Sequence, residues 1–312
     1  MTSVYITSSS CISAQDTFNN PEWRCNVRRS ENLPYHCIEP DYKKIIDSAS
    51  LRRMNRLQKI NLGNVVNCLQ NININALDAI IVATGWGCID STYKFVERLY
   101  DRRDLPANPT SFIQSTHNTM AAQTAIYLNC NACNNTLTDN QSPFELALDN
   151  ALICMHNDRC SNVLLSACDE LTPQLIDILG KIAGFGKPKI LGEGGACFLL
   201  SKEKQDNIAE LKHFASLSTD DLQQVAEDLS NAYSVDYVFT SQKERLTGAS
   251  ARNLPQIIYT DYFGHFPTSH ACGFWLAVHC LNTGNPPATN ARNIMLISGN
   301  RQKISHIIIV GK

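Results

Sequence analysis

The side chains in this 312-residue chain with intrinsic reactivity are its thirteen cysteines and eight histidines. A thiol becomes a nucleophile or metal ligand when deprotonated, and an imidazole exchanges protons near neutral pH. Cys130 and Cys133 have the spacing of a metal or redox pair. No second pair and no neighbouring histidine completes such a site, so neither a metal nor a redox disulfide is expected. Cys68, Cys154, Cys168, Cys197, Cys272 and Cys280 sit in apolar periodic segments, where a thiol packs as a small hydrophobe. Cys133 and Cys168 are the positions at which a nucleophile could be sought, and both read as buried packing residues. His117 and His270 could be taken for an acid–base pair, but each reads more simply as completing the hydrogen bonds of a helix start.

The elements that would position these groups alternate between short apolar runs and helical patterns, the signature of a layered α/β architecture. Runs at 4–7, 79–84, 162–166, 196–200, 235–239, 294–297 and 307–310 read as strands, nearly all continuously apolar as if covered on both faces. Met54, Leu57, Ile60, Val65, Cys68 and Leu69 recur at helical spacing. So do Phe144, Ala147, Leu148, Ala151 and Met155, and again Ala271, Phe274, Trp275, Val278 and Leu281. Asp169 to Pro173 and Gly184 to Pro188 read as loops. Residues 202–234 form the most polar stretch, the expected junction between two halves, and Ser298 to Arg301 read as the turn of a final hairpin. No internal sequence repeat is visible.

A hydrophobic content of 44% and a formal charge of −2, with basic and acidic residues interspersed, describe a globular chain without the basic surface a nucleic acid needs. No apolar run reaches the roughly 18 residues of a membrane span, and Met1 to Thr7 lack the pattern of a secretion signal, so a cytoplasmic protein is expected.

Taken in order, several segments resemble the β-ketoacyl synthase family. Asp78 to Cys88 resembles a strand and glycine turn of its N-terminal half, and Phe112-Ile113-Gln114-Ser115-Thr116-His117-Asn118-Thr119 runs into a helix start like that of the synthases. Asn162 to Glu170 matches a family strand, Gly192-Glu193-Gly194-Gly195-Ala196 matches "GEGA", and Phe263-Gly264-His265 matches the "GH" that carries a catalytic histidine. These matches keep family order over about two-thirds of the chain, and the Phe112 to Thr119 segment resembles in particular the short, chain-length-factor-like members found in bacterial pigment clusters. The resemblance implies an α/β, thiolase-like αβαβα fold of two similar halves, 1–202 and 203–312, packed as one unit with the C-terminal half shortened.

The same resemblance implies that catalytic groups are missing. Laid on the family's nucleophile elbow, Asn135 to Ser142 puts Gln141 where the cysteine belongs, and an amide cannot carry an acyl chain as a thioester. The first histidine would fall at Ser241, the family lysine is Thr260, and the "GFGG" loop is replaced by Ser298-Gly299-Asn300-Arg301. Only His265 is retained, and it reads as a structural residue without its customary partners. The implied role is a non-catalytic subunit without independent activity or cofactor, a chain-length factor that pairs as a heterodimer with a catalytic ketosynthase and meets an acyl carrier protein. The implied pathway is of the aryl polyene, flexirubin or resorcinol kind. Phe112, Asn118, Thr119, Met120, Thr136, Thr138 and Asn140 would lie at the interface or tunnel end. The alternatives are a malonyl-carrier decarboxylase using Gln141, and an inert scaffold of the same fold.

Overall fold

The computed structural model of the chain describes residues 3–24, 34–70, 72, 74–101, 109–182, 190–204, 208–241, 254–299 and 303–312. Among them run ten strands: β1 (Val4–Ile12), β2 (Ala79–Thr84), β3 (Cys133–Thr138), β4 (Asn162–Asp169), β5 (Gly194–Ser201), β6 (Ala209–Ser218), β7 (Tyr237–Thr240), β8 (Gln256–Ile258), β9 (Asn293–Gly299) and β10 (Ile304–Gly311). The helices are α1 (Ser48–Leu51), α2 (Arg56–Cys68), α3 (Ile89–Asp101), α4 (Pro109–Ser115), α5 (Thr119–Leu128), α6 (Pro143–His156), α7 (Pro173–Lys181), α8 (Leu222–Ala232), α9 (Thr260–Phe263) and α10 (Ser269–Thr283).

The strand order is β3-β2-β4-β5-β1-β6-β10-β9-β7-β8. Adding five to each number of the first array, β3-β2-β4-β5-β1, gives β8-β7-β9-β10-β6, the second array read from its outer edge. The pairing directions repeat as well. β2 runs parallel to β3 and β4, β5 antiparallel to β4 and β1, and their counterparts do the same. The two arrays meet where β1 pairs antiparallel with β6 from Val4↔Leu211 to Ile6↔Ala209. A structural repeat is therefore present where no sequence repeat is visible, because topology constrains which faces are apolar and leaves side-chain identity open.

Alternating residues along each strand sort the core into layers. Ala79, Ile81 and Ala83 of β2 join Phe144, Leu148 and Met155 of α6 and Phe274 and Leu276 of α10, together with Ile294 and Leu296 of β9 from the other array. Ile80 and Val82 face the opposite way, onto Leu57, Ile60 and Val65 of α2 and Met120 of α5. In the second array Met295, Ile297, Ile307 and Ile309 face Leu222 and Ala226 of α8. The result is outer helices, array, α6 with α10, array, outer helix, the layering of the expected thiolase-like fold. Residues 269–281 of α10 are all buried, which explains why that helix is apolar on every side.

Three strands differ from the sequence reading. The polar stretch 202–234, read as the junction between two halves, contains β6, on which the second array starts, and α8. β6 buries Ala209 and Leu211, while its polar residues are half-buried or exposed. β3 is polar because it is the edge of the sheet, and β8 is only three residues long. The expected loop at Gly184 to Pro188 and the turn residues Asn300 and Arg301 lie outside the described residues. No helix among the described residues is long and apolar enough to cross a membrane.

Candidate functional site at the ends of β2, β3 and β4

The carboxyl ends of β2, β3 and β4 lead into three adjacent turns, a place where α/β sheets commonly assemble sites. The turn after β2, Gly85-Trp86-Gly87, is glycine-rich for steric reasons. A Cβ on Gly85 would lie 2.1 Å from Pro267 Cβ, and one on Gly87, whose φ is +61°, would lie 1.9 Å from the His117 ring. Asp169, the last residue of β4 and fully buried, holds this turn. It accepts from Thr84 Oγ1 (2.8 Å), Gly85 N (2.9 Å), Trp86 N (2.8 Å), Thr268 Oγ1 (2.9 Å) and Thr268 N (3.1 Å). Burial pushes its carboxyl up, and the donors from Trp86, Thr84 and Thr268 oppose that shift.

The elbow between β3 and α6 is Asp139-Asn140-Gln141-Ser142. Asp139 Oδ2 accepts from Gln141 N at 2.8 Å and Ser142 N at 2.6 Å. These amides belong to the turn that leads into α6, which starts at Pro143 with Ser142 as its N-cap. Gln141, which the family resemblance lays on the nucleophile elbow, is partly exposed in this turn, and its backbone amide serves a neighbouring carboxylate.

The glycine-glutamate loop and the Gly264-His265 loop pack backbone to backbone. Gly192 N donates to His265 O (3.1 Å) and His265 N to Ile190 O (2.7 Å). A Cβ on Gly192 would come within 2.2 Å of Phe263 O. Glu193 is fully buried and accepts from both Arg56 terminal nitrogens (2.6 Å each), Leu171 N (2.7 Å) and Cys37 N (3.0 Å). Burial opposes its charge, but the Arg56 guanidinium outweighs burial and holds the carboxyl below its ordinary value. This loop is a structural clamp.

Sequence reasoning missed a cluster between the two middle helices. Glu145 of α6, fully buried, accepts from His270 Nδ1 of α10 and from Ser298 Oγ of β9 at 2.5 Å. Burial would raise the Glu145 carboxyl, but His270 overrides it and holds the group at about 2. His306 of β10 lies nearby, its Nδ1 bonded to Ser216 Oγ at 2.8 Å and its pKa pulled down by burial. Glu145 Oε2 and His306 Nε2 are each buried without a hydrogen-bond partner. A charged residue in the apolar stripe of α6 and a histidine near the start of the mostly apolar α10 were the signals available, since buried polar and charged groups need partners. His270 thus bonds the Glu145 carboxyl across the core instead of serving only its own helix start as read.

The remaining expected site residues are placed as follows. Ser241, just past β7, and Thr260, at the start of α9, are both buried and meet through Thr260 Oγ1 to Ser241 O at 2.5 Å. The His265 side chain is half-buried. Cys168 is fully buried beside Met120 Sδ (3.6 Å), and burial pushes its thiol well up, so it packs as read. Cys133, expected to be buried, is exposed at the start of the edge strand. Phe112, Asn118, Thr138 and Asn140 are exposed, Thr136 is half-buried, and Thr119 and Met120 are buried. No group of three or more ligand-type residues among the described residues could hold a metal.

The model of the β-ketoacyl synthase N-terminal domain matches residues 23–186, just over half of the sequence. The chain belongs to the β-ketoacyl synthase family. Among solved structures, a β-ketoacyl synthase from Burkholderia phymatum STM815 is 15% identical with a TM-score of 0.78, all of each chain being covered. The ishigamide ketosynthase/chain length factor is 14% identical with a TM-score of 0.77 over 99% of both chains. A type II PKS acyl-carrier protein in complex with its ketosynthase bound to the hexaketide gives 14% and 0.77, covering 100% of this chain and 99% of that one. At these identities the likeness establishes the β-ketoacyl synthase fold. No curated protein sequence matches the chain.

Proposed function

We propose that this chain is a non-condensing, chain-length-factor-like subunit that pairs with a catalytic ketosynthase and works with an acyl carrier protein in type II polyketide or fatty-acid-like synthesis. The aryl polyene or related pigment type is inferred from the Phe112 to Thr119 segment. The observation that carries the reading is the elbow. The family resemblance lays Gln141 at the nucleophile position, and Asp139 accepts from the Gln141 and Ser142 amides of the turn that leads into α6, so the amide at that position is engaged by a carboxylate and not open to a thiolate or an oxyanion. At the other two positions laid out by the resemblance, Thr260 donates its hydroxyl to the backbone carbonyl of Ser241. The decarboxylase alternative requires two histidines, and Ser241 replaces one of them.

Pairing is supported by the surface around β3. This strand ends the sheet, so its outer backbone edge is open to strand addition among the described residues. The flanking helices present Ile126 (73% exposed), Ile113, Phe112, Ile153 and Leu146 beside it. The named structures of a ketosynthase/chain length factor and of a ketosynthase with its carrier protein fit such assemblies. The test is affinity purification of the tagged chain from its native cells, beside an Ile126→Asp, Ile153→Asp variant. The expected result is a stoichiometric synthase with an intact cysteine and two histidines, lost in the variant. Recovery of only a homodimer, or equal recovery by both chains, would overturn the pairing.

A further inference from the structure

The described cysteines are all free thiols, and three pairs of them are in side-chain hydrogen-bond contact: Cys68 with Cys197, Cys11 with Cys272, and Cys154 with Cys160. The first two pairs lie inside the core, each residue at most 1% exposed. Such thiols pack as small hydrophobes, because an oxidant has no path to them. The third pair differs in access. Cys154 is half-buried in the last turn of α6, and Cys160 is 4% exposed.

The end of α6 explains the contact. Asp158 has a φ of +56°, the left-handed conformation that closes a helix. Asp158 N donates to Met155 O at 3.1 Å and Arg159 N to Cys154 O at 3.0 Å, the two bonds that end a helix on a left-handed residue. The Arg159 bond holds the reversing chain against the last turn, so the next residue, Cys160, packs beside Cys154 in the same apolar cluster. The far side of the turn is fixed too. Ser161 N and Asn162 N donate to Asp78 Oδ2 at 2.7 Å and 2.9 Å, which anchors the entry to β4. Both sulfurs are thus carried on backbone held by hydrogen bonds, and neither needs a movement of the chain to meet the other.

Two thiols held in contact become a disulfide by losing two protons and two electrons to an oxidant. Burial and the contact with Cys154 push the Cys160 thiol up, so the more accessible Cys154 reacts first. With a peroxide, the Cys154 sulfur attacks one oxygen, the O–O bond breaks, and a sulfenic acid forms while the other oxygen leaves as water with the thiol proton. The Cys160 sulfur then attacks the Cys154 sulfur, the S–O bond breaks, and the oxygen leaves as a second water with the Cys160 proton.

We propose that Cys154 and Cys160 form a redox-active dithiol, an oxidation site for peroxides at the end of α6. Its disulfide spans the closing turn of the helix and is reversed by exchange with a small thiol. The site is separate from the elbow and does not depend on the pairing proposed above.

The test is treatment of the reduced full chain with hydrogen peroxide, alkylation of the remaining thiols with iodoacetamide in denaturant, and mass spectrometry after trypsin digestion, which cuts between Arg159 and Cys160. The expected product is a disulfide joining the peptides that carry Cys154 and Cys160, assigned by fragmentation. Alkylation at both positions is expected to fall about tenfold and to be restored by dithiothreitol. This readout needs no variant. In Cys160→Ser a sulfenic acid at Cys154, trapped by dimedone, is expected in place of the disulfide, and Cys154→Ser leaves Cys160 open to alkylation. The proposal is overturned if Cys154 and Cys160 stay alkylatable while the exposed Cys133 is oxidised, or if Cys160 joins Cys133 or a second chain instead. It is also overturned if the buried Cys68 and Cys197 pair oxidises equally, because access would then not select the site.

Discussion

The two helices of the middle layer, α6 and α10, follow equivalent strands of the two arrays, yet their N-termini are used differently. α6 starts four residues past β3 on buried residues, Pro143 to Glu145, and a half-buried aspartate two residues upstream of Gln141 holds the two amides that lead into it. Ten residues separate β8 from α10, and a buried aspartate from the other array, Asp169, holds its entry through Thr268. The first arrangement is local and replaceable; the second ties three chain segments together, the end of β4, the turn after β2 and the entry to α10. The α6 entry thus has the simpler support, while a buried polar cluster lies between the two middle helices, where Glu145, His270 and Ser298 meet.

Substitutions at the three carboxylates should break this comparison in a definite order. Asp169→Asn places an amide N–H₂ against a ring of donors in a closed core, and is expected to cost about 4 kcal/mol or prevent folding, read by urea unfolding. Glu145→Gln removes the ionised partner of His270, with an expected loss of about 3 kcal/mol near neutral pH. The sign of its pH dependence follows from the folded carboxyl lying at about 2 against an ordinary 4.5. Its contribution is fully present above 4.5 and is lost as the pH falls toward 2, so the variant should show a flatter acid limb in that window. Asp139→Ala removes only a local cap and should cost about 1 kcal/mol, seen as a small shift in the same unfolding curve. Equal effects of the Asp139 and Asp169 changes would erase the distinction between the two helix starts.

The buried strands were legible because both faces are covered. Ala79 to Thr84 is a continuous apolar run and is observed as β2 with the same ends. β3 was legible only through the elbow resemblance, since an edge strand reading Cys-Asn-Asn-Thr-Leu-Thr needs no apolar pattern to stay in place. β6 was hidden by its solvent-facing lysine and glutamate. At the site, the types at Gln141, Ser241 and Thr260 could be read from family order, but their partners could not. Asp139's role depends on the conformation of its own turn. The Glu145 contacts join residues 125 and 153 positions apart, which no local pattern encodes.

The central claim is that the elbow cannot support condensation. The most direct test is incubation of the purified chain, alone and as Gln141→Cys, with acyl and malonyl carrier-protein thioesters, followed by mass spectrometry for ketoacyl product. No product is expected from either protein, because Asp139 still occupies the elbow amides and Ser241 and Thr260 still replace the other groups. Ketoacyl product from the unaltered chain, or from Gln141→Cys without a partner, would contradict the account.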